Sequence, residues 1–320
     1  MTISRDATAA MRLLSIHRVG TAKLRRIARL AAQNGQTLAD VIDDRDLLAR
    51  VLNEQQLDEL FGSSEQFLPE LESLEREGIT ALSLFDGSYP VRLKSRLRDN
   101  SPPLLFVRGP LEMLEQPAVG FCGSRKASDK GRCVASDCAD QLAHEAINVV
   151  SGYAAGVDLA AHKAALDAGG TTTLVLAEGI RAFRIKRELR DAWDDARVCM
   201  VSEFLPSARW SVGNAMQRNG TICGLSSAMI LIEARSSGGS IAAGNECLKL
   251  GVPLFAPVYL GMPESATGNR ILLTKGAREI RKGRQTNRAV LDEVVASVSD
   301  EHDEPAPASS PQLAFFGGRA

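Results

Sequence analysis

Between residues 118 and 257, short unbroken apolar runs alternate with longer stretches of mixed polarity. The apolar runs cover 118–122, 148–150, 172–177, 198–202, 228–233 and 253–257, without the alternation of a strand that has one wet face. Strands covered on both faces read this way, because neither side of the pleat meets water. Helical patterns fill the intervals at 129–145, 157–168, 186–195 and 240–250. Such alternation predicts right-handed crossovers and an α/β fold: an extended Rossmann-like, mostly parallel doubly wound sheet.

The flanks differ. Residues 8–75 carry helical spacing, and Leu13, Leu14, Ile16, Leu24, Ile27 and Leu30 are interrupted by His17, Arg18, Val19 and Gly20, with Thr21 placed to cap the second helix. Two short helices joined by a tight turn are predicted, within a small helical N-terminal domain over 1–78 of the helix-hairpin-helix or SAM-like kind. A hairpin of that form presents backbone N–H groups to a phosphate; a plain bundle uses the same pattern for packing. Residues 78–109 are extended and Pro-rich, with Pro90, Pro102 and Pro103, and are expected to connect to the next domain. The Rossmann-like domain is expected over 79–290. From 291 to 320 the chain is expected to form a disordered tail, acidic and rich in Pro and Ser toward its end.

Composition narrows the picture only a little. The 320 residues carry a net charge of -1, so an anionic partner must be met by a local patch. No run approaches the roughly eighteen apolar residues of a membrane span, and the charged start does not read as a signal peptide. A cytoplasmic protein without a membrane partner is expected. The six cysteines, Cys122, Cys133, Cys138, Cys199, Cys223 and Cys247, form no CxxC pair and read as free thiols rather than as a metal set.

Ligands of doubly wound sheets collect beyond the carboxyl ends of the strands. There the sequence places Gly123, Ser124, Arg125 and Lys126, then Ser151, Gly152 and Gly156, then Ser237, Gly238, Gly239 and Ser240, with Ser128 set to cap a helix. Glycines let a backbone approach closely, Arg forks onto phosphate, and helix N-termini favour anions. No GxGxxG follows the first strand and no GxxxxGK[ST] occurs, so no nicotinamide or Walker-type cofactor is expected. His162 lies one helical turn beyond Asp158, an arrangement open to a catalytic dyad or to a capping Asp and a packed His. Basic residues cluster at Arg181, Arg184, Lys186, Arg187 and Arg190, and again from Lys275 to Arg284. Tyr153, Phe183 and Trp210 are candidates for stacking bases, or for packing.

Taken together, Gly123-Ser124-Arg125-Lys126-Ala127-Ser128, Val150-Ser151-Gly152-Tyr153-Ala154-Ala155-Gly156-Val157-Asp158, Gln217-Arg218-Asn219, Ile232-Glu233-Ala234, Ser237-Gly238-Gly239-Ser240 and Gly268-Asn269 resemble the signature of the DprA/Smf family. The resemblance runs over about 12–280. It implies a non-enzymatic protein that binds and protects single-stranded DNA, loads RecA onto it in DNA uptake, recombination or repair, and forms a homodimer. It also implies DNA contacts at Arg125 and Lys126, with Arg218 and Asn219 on the neighbouring loop.

Three departures stand out. Ile180 to Arg184 replace the family's Tyr-Pro turn, Ser237 to Ala243 lack one hydroxyl of the family run, and the acidic tail is not expected to form the winged helix that many members carry. Gln312, Leu313, Ala314, Phe315 and Phe316 resemble peptides that dock on the bacterial sliding clamp. The alternative is a nucleotide sensor or an N-glycosidic-bond hydrolase on a related fold, for which Glu246 would be the available acid.

Overall fold

A computed structural model describes residues 3–62, 68–259 and 264–303. The described residues form two compact units, one reaching Arg108 and one beginning at Gly109.

The first unit opens with α1 (Arg5–Leu14), α2 (Thr21–Gln33), α3 (Leu38–Val41), α4 (Arg45–Leu48), α5 (Glu54–Gly62) and α6 (Leu68–Arg76). Leu13, Leu24, Ile27, Leu48, Leu57 and Leu60 are fully or almost fully buried, so the helical spacing does mark a core face. The predicted turn between α1 and α2 is present, with Arg18 left-handed at φ 60°. Gly20, not Thr21, occupies the N-cap of α2 and offers no side-chain bond. Within that turn the His17 N–H donates to Glu59 Oε1 at 3.0 Å, and its carbonyl accepts from Gln56 Nε2.

Residues 78–109 are more ordered than a connector. β1 (Ile79–Ser83) and β2 (Leu104–Arg108) pair antiparallel around α7 (Val91–Leu97). Pro90 caps α7 and Pro103 precedes β2, positions where a missing N–H is tolerated.

The second unit carries β3 (Ala118–Cys122), α8 (Asp129–His144), β4 (Asn148–Ser151), α9 (Val157–Asp167), β5 (Thr172–Val175), β6 (Val198–Ser202), α10 (Val212–Leu225), β7 (Ala228–Leu231), α11 (Gly239–Lys249), β8 (Leu254–Pro257), α12 (Thr267–Thr274), β9 (Arg278–Ile280) and α13 (Asp292–Asp303). Its strands lie in the order β6-β5-β4-β3-β7-β8-β9, and every neighbouring pair is parallel. Strands β3 to β7 are buried at every position, as their unbroken apolar runs require. Val119, Phe121, Val149 and Ile230 meet Ala135, Cys138 and Leu142 of α8 and Val157, Ala161 and Ala165 of α9 in one core. The fold is α/β and Rossmann-like.

Two further expectations fail. No α-helix spans 186–195: only a single 3-10 turn forms at Arg187–Leu189, because Lys186 is drawn toward Tyr153. The tail expected from 291 begins instead with α13, because Leu291, Val294 and Val298 complete the core beside Phe255 and Ile280. The clamp-like segment from Gln312 to Phe316 lies outside the described residues.

Candidate nucleic-acid interface

After β3 the chain moves to β4 on one side, and later returns to β7 on the other. Strand order therefore reverses at β3, and the crevice beyond the carboxyl ends of β3 and β7 is where such sheets hold ligands. A cleft of about 480 Å³ opens there. Four segments line it: the turn after β3, the turn after β4, one face of α10, and the turn into α11.

The turn after β3 contributes Gly123, Ser124, Arg125 and Lys126, and both basic side chains are exposed. Ser124 Oγ accepts from the Lys126 N–H at 3.1 Å, which folds the turn back on itself. Ser128 then caps α8, its Oγ accepting from the Gly131 N–H at 3.0 Å. The same hydroxyl donates to Glu233 Oε1, and the Ser128 N–H donates to Glu233 Oε2 at 3.0 Å. Glu233 follows β7 and is fully buried, so it ties the turn after β3 to the turn after β7.

The turn into α11 contributes Arg235, Ser237, Gly239 and Ser240. Asn269 of α12 braces it: its Oδ1 accepts from the Ala234 N–H while its Nδ2 donates to the Ile232 carbonyl, both at 2.9 Å. Gly238 stands at the N-cap with φ 105°, a left-handed conformation that favours glycine. Its role is to turn the chain; it does not line the cleft.

Ser151, Gly152 and Gly156 do not line the cleft either. Ser151 is fully buried and donates to the Phe121 carbonyl, joining β4 to β3. Gly156 has φ 82° and presses against the first turn, where an added Cβ would fall 2.3 Å from the Ser124 carbonyl oxygen. Gly152 makes room for a guanidinium: its Cβ would fall 1.4 Å from Arg218 Nη1. These residues shape the site from behind. The sequence located them at the strand ends but not their direction.

Arg218 and Asn219 both line the cleft, from helix α10 rather than from the neighbouring loop. Arg218 is only 6% exposed, and its Nε has no hydrogen-bond partner. Burial lowers its pKa from the ordinary guanidinium value, opposed by the nearby Asp158. Asp158 is also buried; desolvation raises its carboxyl above the ordinary value, again opposed by Arg218. Its Oδ2 accepts from the Ala154 N–H at 3.1 Å and so holds the turn after β4. Glu203, just after β6, accepts from Gln217 Nε2 at 2.6 Å and from Thr221 Oγ1 at 2.8 Å, fixing the rotation of α10.

The lining thus sets Arg125, Lys126, Arg218 and Arg235 against one carboxylate, Asp158. Arg235 was legible as a loop residue but not as part of the site, because a single basic residue in a turn has no distinguishing pattern. At the rim, the Arg125 guanidinium lies 5.2 Å from the Trp210 ring centroid. Trp210, Val212, Met216 and Leu205 are large apolar side chains left exposed.

Other sequence candidates resolve differently. His162 is fully buried and its Nδ1 lies 2.6 Å from Thr172 Oγ1, so it is packed rather than paired with Asp158. Tyr153 is 7% exposed and its ring lies 5.0 Å from that of Phe183, tilted against it, making both members of one packed cluster. Glu246 does not line the cleft and pairs with Lys249 at 3.7 Å. Among the described residues, no group of His, Cys, Asp or Glu is placed to hold a metal ion, and no helix is long and apolar enough to cross a membrane.

Residues 80–290 match the model of DNA recombination-mediator protein A. The chain belongs to that family. It is 31% identical to the DNA processing protein DprA of Streptococcus pneumoniae over 213 residues, covering 66% of this chain and 74% of that one. It is also 31% identical to the protein Smf of Escherichia coli over 275 residues, covering 85% and 72%. The crystal structure of the Streptococcus pneumoniae protein superposes with a TM-score of 0.70 at 24% identity, over 87% of this chain and 95% of that one. The DNA processing protein A of Helicobacter pylori, described for its single-stranded DNA binding mode, has a TM-score of 0.54 at 21% identity, over 70% and 95%. This family's matched region includes the whole cleft.

Proposed function

We propose that the cleft binds single-stranded DNA, holding its phosphates and leaving its bases outside on the rim. The carrying observation is Arg218: a buried guanidinium, seated on Gly152, whose Nε has no hydrogen-bond partner. A buried donor without an acceptor is costly even with Asp158 nearby to offset the charge, and a phosphate diester oxygen would complete it. The backbone N–H groups that begin α11, the hydroxyls of Ser124, Ser237 and Ser240, and the forked donors of Arg125 give further partners. Gly123 and Gly239 keep the floor free of side chains.

The wall composition favours binding over hydrolysis: the one carboxylate among the lining residues is Asp158, which is buried and engaged with the Ala154 N–H. Family membership supports a role in recombination in which the bound strand is protected and passed to RecA by a homodimer in the cytoplasm.

Oligo-dT binding measured against salt tests the reading. The logarithm of the binding constant should fall by about 0.7 per phosphate contacted for each decade of salt. Arg125→Ala should weaken binding and flatten that slope. A chain indifferent to oligo-dT but stabilised by a mononucleotide would replace this reading with the sensor alternative.

A further inference from the structure

The segment joining β5 to β6 forms no α-helix, and Tyr153, in the turn after β4, pins it in place. The Tyr153 hydroxyl donates to the Arg184 carbonyl at 3.2 Å and accepts from the Lys186 N–H at 2.6 Å. Lys186 Nζ in turn donates to the Tyr153 carbonyl and lies 4.2 Å from its ring centroid. Phe183 packs between Tyr153 and Trp193, its ring tilted against both at centroid distances of 5.0 and 5.6 Å. Tyr153 itself is left-handed, at φ 61°, in the turn that presents the Ala154 N–H to Asp158.

Pinned in this way, the segment buries Leu189 and turns Arg184, Arg187 and Arg190 to solvent. None of the three has a carboxylate partner among the described residues. Elsewhere in the same unit Arg197, Arg281 and Arg288 each pair with Asp or Glu. Exposed ion pairs contribute little to stability, so these three arginines cost the fold little without one and can meet an anion instead. Lys186 continues this charge inward, within electrostatic reach of both Asp158 and Arg125 at the cleft.

We propose that Arg184, Arg187 and Arg190 form a second phosphate-binding track, along which a single-stranded DNA backbone leaves the cleft over the β5–β6 crossover. The proposal rests on the reading of the cleft as a single-stranded DNA site and adds a length dependence to it. A short oligonucleotide fills the cleft alone, whereas a longer one also engages the track.

The test compares oligo-dT of about four and about twenty nucleotides on the full chain and on the triple variant Arg184→Gln, Arg187→Gln, Arg190→Gln. The variant should hold the short oligonucleotide within about twofold of the parent, bind the long one at least about tenfold more weakly at low salt, and lose about two units of its salt slope. An unchanged melting temperature shows that the fold is kept. Equal affinity for the long oligonucleotide, or an equal loss for both lengths, overturns the track. Arg218→Ala separates the two readings, because it should weaken both lengths. A parent chain that binds neither length removes the cleft reading, and the track with it.

Discussion

Arg125 holds its guanidinium over the Trp210 ring, 5.2 Å from the centroid, at the point where the charged floor of the cleft meets its apolar rim. The pair joins a forked cation to an aromatic side chain that is 48% exposed. A nucleotide has the matching halves, a charged diester and a flat base.

Trp210→Ala should therefore reduce oligo-dT affinity by about 1–3 kcal/mol, the range for one stacked base. Binding to an abasic oligonucleotide, which has phosphates but no bases, should change little. Fluorescence anisotropy with both ligands distinguishes the outcomes. Equal losses on the two ligands would assign Trp210 to supporting Arg125 rather than to the bases.

Gly152→Ala should act as a mutation of Arg218 without touching it. The new Cβ would overlap the guanidinium, at 1.4 Å from Nη1, so the arginine must leave its seat. Oligo-dT binding should fall about as far as in Arg218→Ala, with a stability cost of about 1–3 kcal/mol from overpacking. Chemical denaturation and anisotropy on the same preparation check both parts; unaltered binding would show that the seat is dispensable.

Ser128→Ala removes the cap on the Gly131 N–H and one donor to the buried Glu233. The expected loss is about 1–2 kcal/mol, at the upper end for an N-cap, because an acceptor is left short of a partner. Urea unfolding measures it, and a loss of only a few tenths would mean that water replaces the hydroxyl.

His162 supplies a pH test. Burial lowers its pKa from 6.5 to about 3. The unfolded chain takes up a proton near pH 6.5 that the folded chain refuses until about pH 3. Stability from this residue is complete above 6.5 and falls by about 1.4 kcal/mol per pH unit between those limits. His162→Gln should lower stability at neutral pH yet flatten its decline between about pH 6 and 4 by one proton's worth. Parallel curves for parent and variant would contradict the burial of a neutral imidazole.

Strand positions were legible because burial on both faces leaves an apolar run with no competing explanation, as at Ala118–Cys122 and Val198–Ser202. The glycine turns were legible for a related reason, since few other residues tolerate the φ of Gly156 and Gly238. What the chain order concealed was depth. Arg218 reads as one more basic residue until Gly152, distant in sequence, is seen to vacate the space it occupies. Lys186 belongs to a helical-looking pattern, but a tertiary bond to Tyr153 outweighs local propensity. Likewise the polar stretch from Asp292 looked unable to fold by itself; Val294 and Val298 find a partner surface only once β8 and β9 are in place.

At Gly156 and Ser124 main chain rests on main chain, and the Val157 N–H donates to the Ser124 carbonyl at 3.4 Å. The two turns are therefore geared together: neither can shift outward without dragging the other. Whatever orders the turn after β3 bears directly on the start of α9, because the two share this backbone contact.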